Sequence, residues 1–515
     1  MKNKKHQQIF DALVNILGKE NVADDPAIMV AYSRDWMPES TMNPNPPAFV
    51  ALPAGVEDVQ AIVKLANRLQ FPFIPVGSNL WSINTVAIEP YTVILDPKRM
   101  NRIVEIDEKR MYAVIEPYVS HAQLHAEANK RGLYLGAPEA GAQTSSLANH
   151  VFQAAWGVSH RLGMGYRNIL SMEWVLPNGD ILKTGSLSQR NAGPNWGEGP
   201  GPDLRGLIRG SYGVMGGFGV VTKMAVKLHP YPGPKVFPCE GILPDQRSMM
   251  PKEKFHWCFF TYPTVQKAVD AMYEVCQAEL AGNCSKWPTS YLNWYWAKSG
   301  EEYWETWKSR YWQKNCSNMV AICLWGFTSS KQVEYEKRVL DDIIEETGGC
   351  KVPQDVYDRI TTQIANCWIR TAYGPRVISR SGTFMVFSIQ VDTMDSNVKT
   401  IKHSADFLDK YSPPILDSDH TDWIASYEMG HLGYEEDMFP IEKTTEDLGS
   451  LMGNFMTELQ HDLKRRHEYN IAPALGAVYH NIAGPVFGYD KLLKGITQAL
   501  DPNNVSCPPQ PIPKD

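Results

Sequence analysis

The chain has 515 residues, 43% of them hydrophobic and 21% charged, with a formal net charge of −7. That length exceeds what one hydrophobic core holds, so two or more domains are expected, and the composition is that of a globular chain rather than a disordered one. The acidic balance, without a long basic block, argues against nucleic acid as a partner, and the absence of a run of about 18 apolar residues argues against a helical membrane span.

In chain order, Met1 to Gln8 are polar and lack the apolar stretch that an export signal needs. Residues 7–19 read as a helix with Ile9, Leu13, Ile16 and Leu17 on one face. Met42 to Pro47 is a Pro-rich loop and Ala48 to Leu52 a strand. A Pro-Gly turn follows, then a helix over Val56 to Leu69 with acidic residues in its first turn. Phe73-Ile-Pro-Val-Gly-Ser-Asn-Leu-Trp-Ser-Ile-Asn84, followed by the strand-like Tyr91 to Leu95, forms a strand, small-residue loop, strand unit. Gly77 permits close backbone approach, and successive amides in such a loop make an anion-binding concavity to which Ser78 and Asn79 add donors. With Gly77 as its one glycine, the stretch also reads as an ordinary loop.

Met100 to Asp107 and Met111 to Pro117 are short strands around a charged turn. His121 to Arg131 is helical, with Gly132 at its C-cap. Residues 136–149 read as a second small-residue loop. Leu170 to Gly185 is a hairpin turning at Asn178-Gly179. Gly193 to Gly201 is loop, Asp203 to Gly210 a short helix, and Gly213 to Leu228 leads into a further strand. The nine cysteines, from Cys239 to Cys507, include no C-x-x-C pair. That disfavours zinc-ribbon and iron–sulfur readings and predicts reduced thiols in a cytoplasmic protein. Trp287, Trp294, Trp296, Trp304, Trp307, Trp312 and Trp325 crowd together with four tyrosines. They read as core and domain interface, with a few rings available to line an apolar pocket. The 291–312 run looks like one helix, a face of which suits a protein partner.

Several of these segments carry a resemblance: Val76-Gly-Ser-Asn79, Leu95 to Ile103, Tyr166 to Gly185, Gly199 to Leu207 running on to Gly219-Val-Val-Thr-Lys223, and Tyr489 to Asn504. Together, in this order, they resemble the vanillyl-alcohol oxidase and para-cresol methylhydroxylase superfamily of FAD-dependent oxidoreductases. The resemblance implies an α+β fold. Residues 1–235 and a C-terminal return, 471–515, would form a two-part FAD-binding domain, and 236–470 a cap domain on an antiparallel sheet that binds substrate. It assigns Val76, Gly77, Ser78, Asn79 and Leu80 to the FAD pyrophosphate loop. Ser145, Ser146 and Asn149 would lie along the phosphate and ribitol chain, and Gly219 and Val221 near the adenine or the isoalloxazine edge. Trp81, Ile83 and Asn84 depart from the family's further glycines. Phe384 aligns with the histidine that links FAD covalently in some members, so non-covalent FAD is expected, with His431 the runner-up linkage.

The chemistry this implies is hydride removal from a carbon held roughly 3–3.5 Å from flavin N5. Tyr479 and His480 stand where phenol-oxidising members hold the phenolate, and His480 would make activity pH-dependent. Near Met164, where some members place an aspartate, Tyr166 and Arg167 are the polar candidates. Arg370, Tyr373 and Arg376 suit a carboxylate instead. Three readings follow: oxidation of a para-alkyl- or hydroxymethyl-phenol, a 2-hydroxy-acid dehydrogenase, or a flavin-binding subunit with degenerate chemistry. Implied partners are a small aromatic substrate, an electron-acceptor protein and a second copy of the chain; no metal is expected.

Overall fold

The computed structural model describes residues 4–33, 46–78, 87, 89–136, 142–152, 157–209, 217–242, 246–370, 384–417, 419, 422–441, 450, 451, 453, 454, 457, 484, 485 and 488–508. They form an α+β protein built on three main sheets.

The first sheet has the strand order Val22–Ala23, Phe49–Ala51, Val93–Leu95, Phe73–Pro75. The last three are parallel, joined by the helix Val56–Leu69. That helix buries Val59, Ile62, Val63, Leu65 and Ala66, and its first turn carries Glu57 and Asp58 as the sequence predicts. Two amides fasten it to the next sheet: Gln60 Nε2 donates to Gly179 O (2.7 Å) and Asn67 Nδ2 to Pro177 O (2.7 Å). The far end of the chain returns here. Phe73 N donates to Val505 O and Cys507 N to Phe73 O, both at 2.8 Å, so Val505 to Cys507 runs parallel beside Phe73.

The second sheet is antiparallel, ordered Ile103–Asp107, Tyr112–Ile115, Val220–Lys227, Ile169–Val175, Ile181–Lys183. Its hairpin turns at Asn178-Gly179, where Leu176 N bonds Asp180 O at 2.8 Å.

The third sheet has seven strands, ordered Cys350–Lys351, Phe255–Thr261, Met319–Trp325, Asn283–Trp287, Trp423–Tyr427, Leu432–Pro440, Phe384–Asp392, all antiparallel. Alternation splits its side chains between two cores. Cys258, Phe260, Cys284, Ile322 and Ile424 face the helices Val265–Gln277, Ser330–Thr347 and Met394–Lys410. Trp257, Trp287, Trp325, Trp423, Tyr427 and Tyr434 face the opposite way, into an aromatic core shared with the helices Thr289–Trp296 and Gln354–Trp368. That core also takes in Tyr134, Val158, Met164 and Tyr231 from the N-terminal half. The sheet is thus covered on both faces, and Met319–Trp325 is buried along its whole length.

The 291–312 run is not one helix but parts of three: Thr289–Trp296, Gly300–Lys308 and Tyr311–Asn315. Ser299 N-caps the second by accepting from Glu302 N, and Arg310 breaks the chain again at φ 58°. Residues 136–149 are likewise not all loop, since a helix starts at Ser146 and runs to Phe152. The described cysteines are all free thiols. No helix among the described residues is long and apolar enough to cross a membrane.

Candidate active site

The two small-residue stretches meet. Val76 is buried, with its N–H on Leu95 O at 3.0 Å, and Gly77 and Ser78 lead out of the parallel sheet. Ser78 Oγ accepts from Ser145 N at 3.1 Å. A Cβ built on Gly77 would lie 3.2 Å from the Ser145 Cβ and 3.4 Å from the Ala148 Cβ, so glycine lets the two segments close on one another. Ser145 Oγ donates to Pro117 O (2.5 Å) and accepts from Ala148 N (3.1 Å), which ties the second segment to the antiparallel sheet.

Ser146 and Asn149 lie on the helix rather than on a loop. The Ser146 hydroxyl turns inward, 3.2 Å from His121 Nδ1 and 3.4 Å from His150 Nδ1. Asn149 Nδ2 donates to Thr144 Oγ1 at 3.1 Å. Sequence reasoning passed over these histidines. Burial holds them neutral, pushing His150 down to about 4 and His125 to about 3 and lowering His121 well below the usual imidazole value. Spacing gives part of the signal: His121 and His125 are one turn apart on the helix His121–Asn129.

Gly219 lies where the antiparallel sheet meets the returning C-terminal chain. Its φ is +89°, and a Cβ would sit 2.1 Å from Val175 O. Its N–H donates to Ser506 Oγ at 3.0 Å. Buried Asp501 holds that return in place, accepting from Val505 N and Ser506 N, both at 3.0 Å. Asp501→Ala would strand both N–H groups, and a stability loss of roughly 2–4 kcal/mol is expected. Thermal unfolding checks this; an unchanged midpoint would show that the return is not fastened there. Val221, on the strand Val220–Lys227, pairs with Trp174 and packs against the core under the antiparallel sheet.

The polar candidates near Met164 are placed unlike one another. Arg167 forms an ion pair with Glu428 and leaves half its side chain in solvent. Tyr166 is half-buried between the aromatic core and the core of the antiparallel sheet, and burial raises its phenol. Glu428 belongs to the turn of the third sheet's hairpin, where Glu428 N bonds Ser159 O (2.9 Å) and Met429 N bonds His160 O (2.7 Å). Arg370 Nη1 donates to Cys239 Sγ at 2.8 Å and Gln246 Oε1 at 3.2 Å, with its guanidinium over the Phe237 ring. Asn79, Leu80, Tyr373, Arg376, Tyr479 and His480, with Trp81, Ile83 and Asn84, lie outside the described residues.

One acid was missed. Glu436 is fully buried beside Trp423, its register partner, on the aromatic side of the seven-stranded sheet, and Tyr434 OH donates to its Oε2 at 3.3 Å. The two rings beside it pack on each other and on further rings: Trp423 and Tyr434 lie 5.1 Å apart, Tyr427 and Tyr434 5.4 Å, Trp368 and Trp423 5.3 Å. An acid at a core-facing position of an otherwise apolar alternation was the available signal.

Residues 47–185 match the family described as FAD binding domain. The whole chain superposes on p-cresol methylhydroxylase with substrate bound, covering 100% of this chain and 98% of that one, at TM-score 0.78 and 18% identity. The chain thus contains an FAD binding domain and shares the fold of these flavoproteins. The 4-ethylphenol oxidase from Gulosibacter chungangensis shares this fold at TM-score 0.75 and 18% identity, over 100% of this chain and 98% of that one. In sequence, the flavoprotein is 30% identical to the 4-cresol dehydrogenase [hydroxylating] flavoprotein subunit of Pseudomonas putida, over 48% of this chain and 46% of that one. It is also 30% identical to the D-2-hydroxyglutarate dehydrogenase of Stutzerimonas stutzeri (strain A1501), over 43% and 46%. The chain thus spans less than half the length of these relatives. FAD is the cofactor that the matched domain implies, and the residues present suit it: where Gly77 lets the two segments close, the hydroxyls of Ser78 and Ser145 come together, polar groups of the kind that hold a pyrophosphate.

Proposed function

We propose that this flavoprotein oxidises a para-alkyl- or hydroxymethyl-phenol and passes the electrons to an acceptor. Bound FAD supplies the hydride acceptor; the protein orients the phenol and handles its proton. The observation that carries this reading is the aromatic face of the seven-stranded sheet with Glu436 buried in it. Flat rings suit a flat substrate. A phenol that loses a hydride from its para carbon must also give up its hydroxyl proton, and Glu436, oriented by Tyr434, is the group assigned to take it. Tyr479 and His480 are assigned to hold the phenolate oxygen, Tyr166 to the edge of the same region, and Arg167 to docking the hairpin turn. Val76 to Leu80, Ser145, Gly219 and Val221 are assigned to FAD.

The 2-hydroxy-acid reading draws on the relatives of that class. Its substrate carboxylate needs a cation, and Arg370 is already engaged by Cys239 and Gln246. Anoxic mixing with 4-cresol and, separately, with a D-2-hydroxy acid discriminates: bleaching of the flavin by the phenol alone supports the proposal. Bleaching by the hydroxy acid alone overturns it, and bleaching by neither points to a flavin-binding subunit without this chemistry. The Pseudomonas putida relative is a flavoprotein subunit, which supports a separate protein as the electron acceptor.

FAD is held without a covalent bond in this reading. Phe384, which opens the strand Phe384–Asp392, has no nucleophile, and His431 is exposed at the hairpin turn. Acid precipitation is therefore expected to leave the yellow colour in the supernatant; a yellow pellet contradicts the non-covalent assignment.

A further inference from the structure

Histidines lie buried under the second small-residue segment, and the hydroxyl of Ser146 joins two of them, His121 and His150. The segment is clasped to the helix His121–Asn129. His121 N donates to Thr144 O (3.0 Å), Ala122 N to Ala142 O (2.8 Å) and Ser146 N to Val119 O (2.7 Å). The His121 and His150 rings stand 5.5 Å apart, centroid to centroid, and both residues are at most 2% exposed. Ser145 and Ala148, either side of this contact in the chain, are the residues that meet Gly77.

Hydrogen-bond chemistry fixes where the protons sit. Ser146 O is a carbonyl and only accepts, so His150 Nδ1, 2.7 Å from it, carries a hydrogen. That nitrogen therefore offers the Ser146 hydroxyl a donor and no lone pair. The hydroxyl hydrogen then has one acceptor among the described residues, His121 Nδ1 at 3.2 Å. A neutral imidazole that accepts at Nδ1 carries its own hydrogen at Nε2. The two rings thus respond differently to a second proton. On His150 it goes to Nε2 and leaves the bond to Ser146 O intact. On His121 it goes to Nδ1, and the Ser146 hydroxyl hydrogen is left buried without an acceptor.

We propose that His121 is a positioning residue for FAD: neutral, it accepts the Ser146 hydroxyl hydrogen and locks the second segment against Gly77, and its protonation unlocks that segment and releases the cofactor. The proposal rests on the FAD reading of this segment. Burial first, then His150 and His125, lowers the His121 imidazole well below its usual value, opposed by the Asn149 side chain. His125 in turn faces Arg370, and burial lowers His150 to about 4, opposed by its bond to Ser146 O. A histidine held neutral in the closed segment takes a proton more readily once the segment opens. The closed form is therefore fully favoured above the open-chain value, about 6.5, and loses ground as pH falls below it.

Dilution of the FAD-loaded, full-length protein between about pH 5 and pH 7.5, with released FAD read by its fluorescence, tests this. One histidine freed on release predicts a dissociation constant that rises roughly 25-fold from pH 7 to pH 5. His121→Asn places an amide oxygen, which accepts and does not titrate, near the site of Nδ1. It is expected to keep the wild-type affinity at neutral pH and to lose at least half of the pH dependence. His121→Phe removes the acceptor and is expected to weaken binding about tenfold at neutral pH. A wild-type constant that does not change with pH, an asparagine variant with the full pH dependence, or a phenylalanine variant with wild-type affinity overturns the lock while leaving FAD as the cofactor. A folded chain that holds no FAD at any pH overturns the lock and the cofactor reading together. Should neither variant fold, the wild-type profile alone decides.

Discussion

Gly77→Val is expected to weaken FAD retention by roughly tenfold to a hundredfold, about 1.5–3 kcal/mol. The cause is steric. The first atom added already lies 3.2 Å from the Ser145 Cβ and 3.4 Å from the Ala148 Cβ, and valine adds two methyl groups beyond it. The segments around Gly77 and Ser145 must move apart, which also breaks the 3.1 Å bond from Ser145 N to Ser78 Oγ. The substitution sits at the mouth of the parallel sheet, so most of the loss should fall on the cofactor and little on the global fold. Titration of the flavin-free variant with FAD, followed by fluorescence quenching, measures it. Wild-type affinity would mean that the pyrophosphate does not lie against this turn.

Glu436→Gln is expected to slow flavin reduction by a para-alkylphenol by roughly 10²–10⁴-fold, the range of a lost general base. Glutamine keeps the size of the side chain and accepts from Tyr434 OH as before, so packing and FAD content should be unchanged. Anoxic stopped-flow reduction of the two proteins separates the roles. An equal rate assigns Glu436 to structure alone; a slow rate with normal FAD content places it in proton transfer.

Much of the N-terminal half was legible from local chemistry. The helix Val56–Leu69 announced itself through acidic residues in its first turn and its apolar spacing, and the hairpin Ile169–Lys183 through Asn178-Gly179. The extent of the second small-residue stretch was not legible. A helix of seven residues, Ser146–Phe152, is too short for periodicity to rise above its small, polar composition. The three aromatic helices read as one because rings stand on every side of them, and their breaks rest on Ser299 as a cap and on the left-handed backbone at Arg310.

The seven-stranded sheet was foreseen only as antiparallel. Its order depends on pairs such as Lys286 with Ile424, far apart in the chain, which no local signal announces. For the same reason Glu436 stayed hidden. With Glu435 and Asp437 beside it, it looks like a surface acid until strand register turns alternate residues into two different cores. The family resemblance put Gly77 and Ser78 at the FAD pyrophosphate and Ser145 along the phosphate and ribitol chain, and the structure brings those three residues into contact.

The central claim, that separated backbone segments close around FAD, is tested most directly by the purified chain itself. After denaturation in acid and removal of the precipitate, the supernatant is expected to contain about one FAD per chain, or the colourless protein to take up one when FAD is supplied. A folded chain that holds no flavin and binds none at saturating FAD would contradict it.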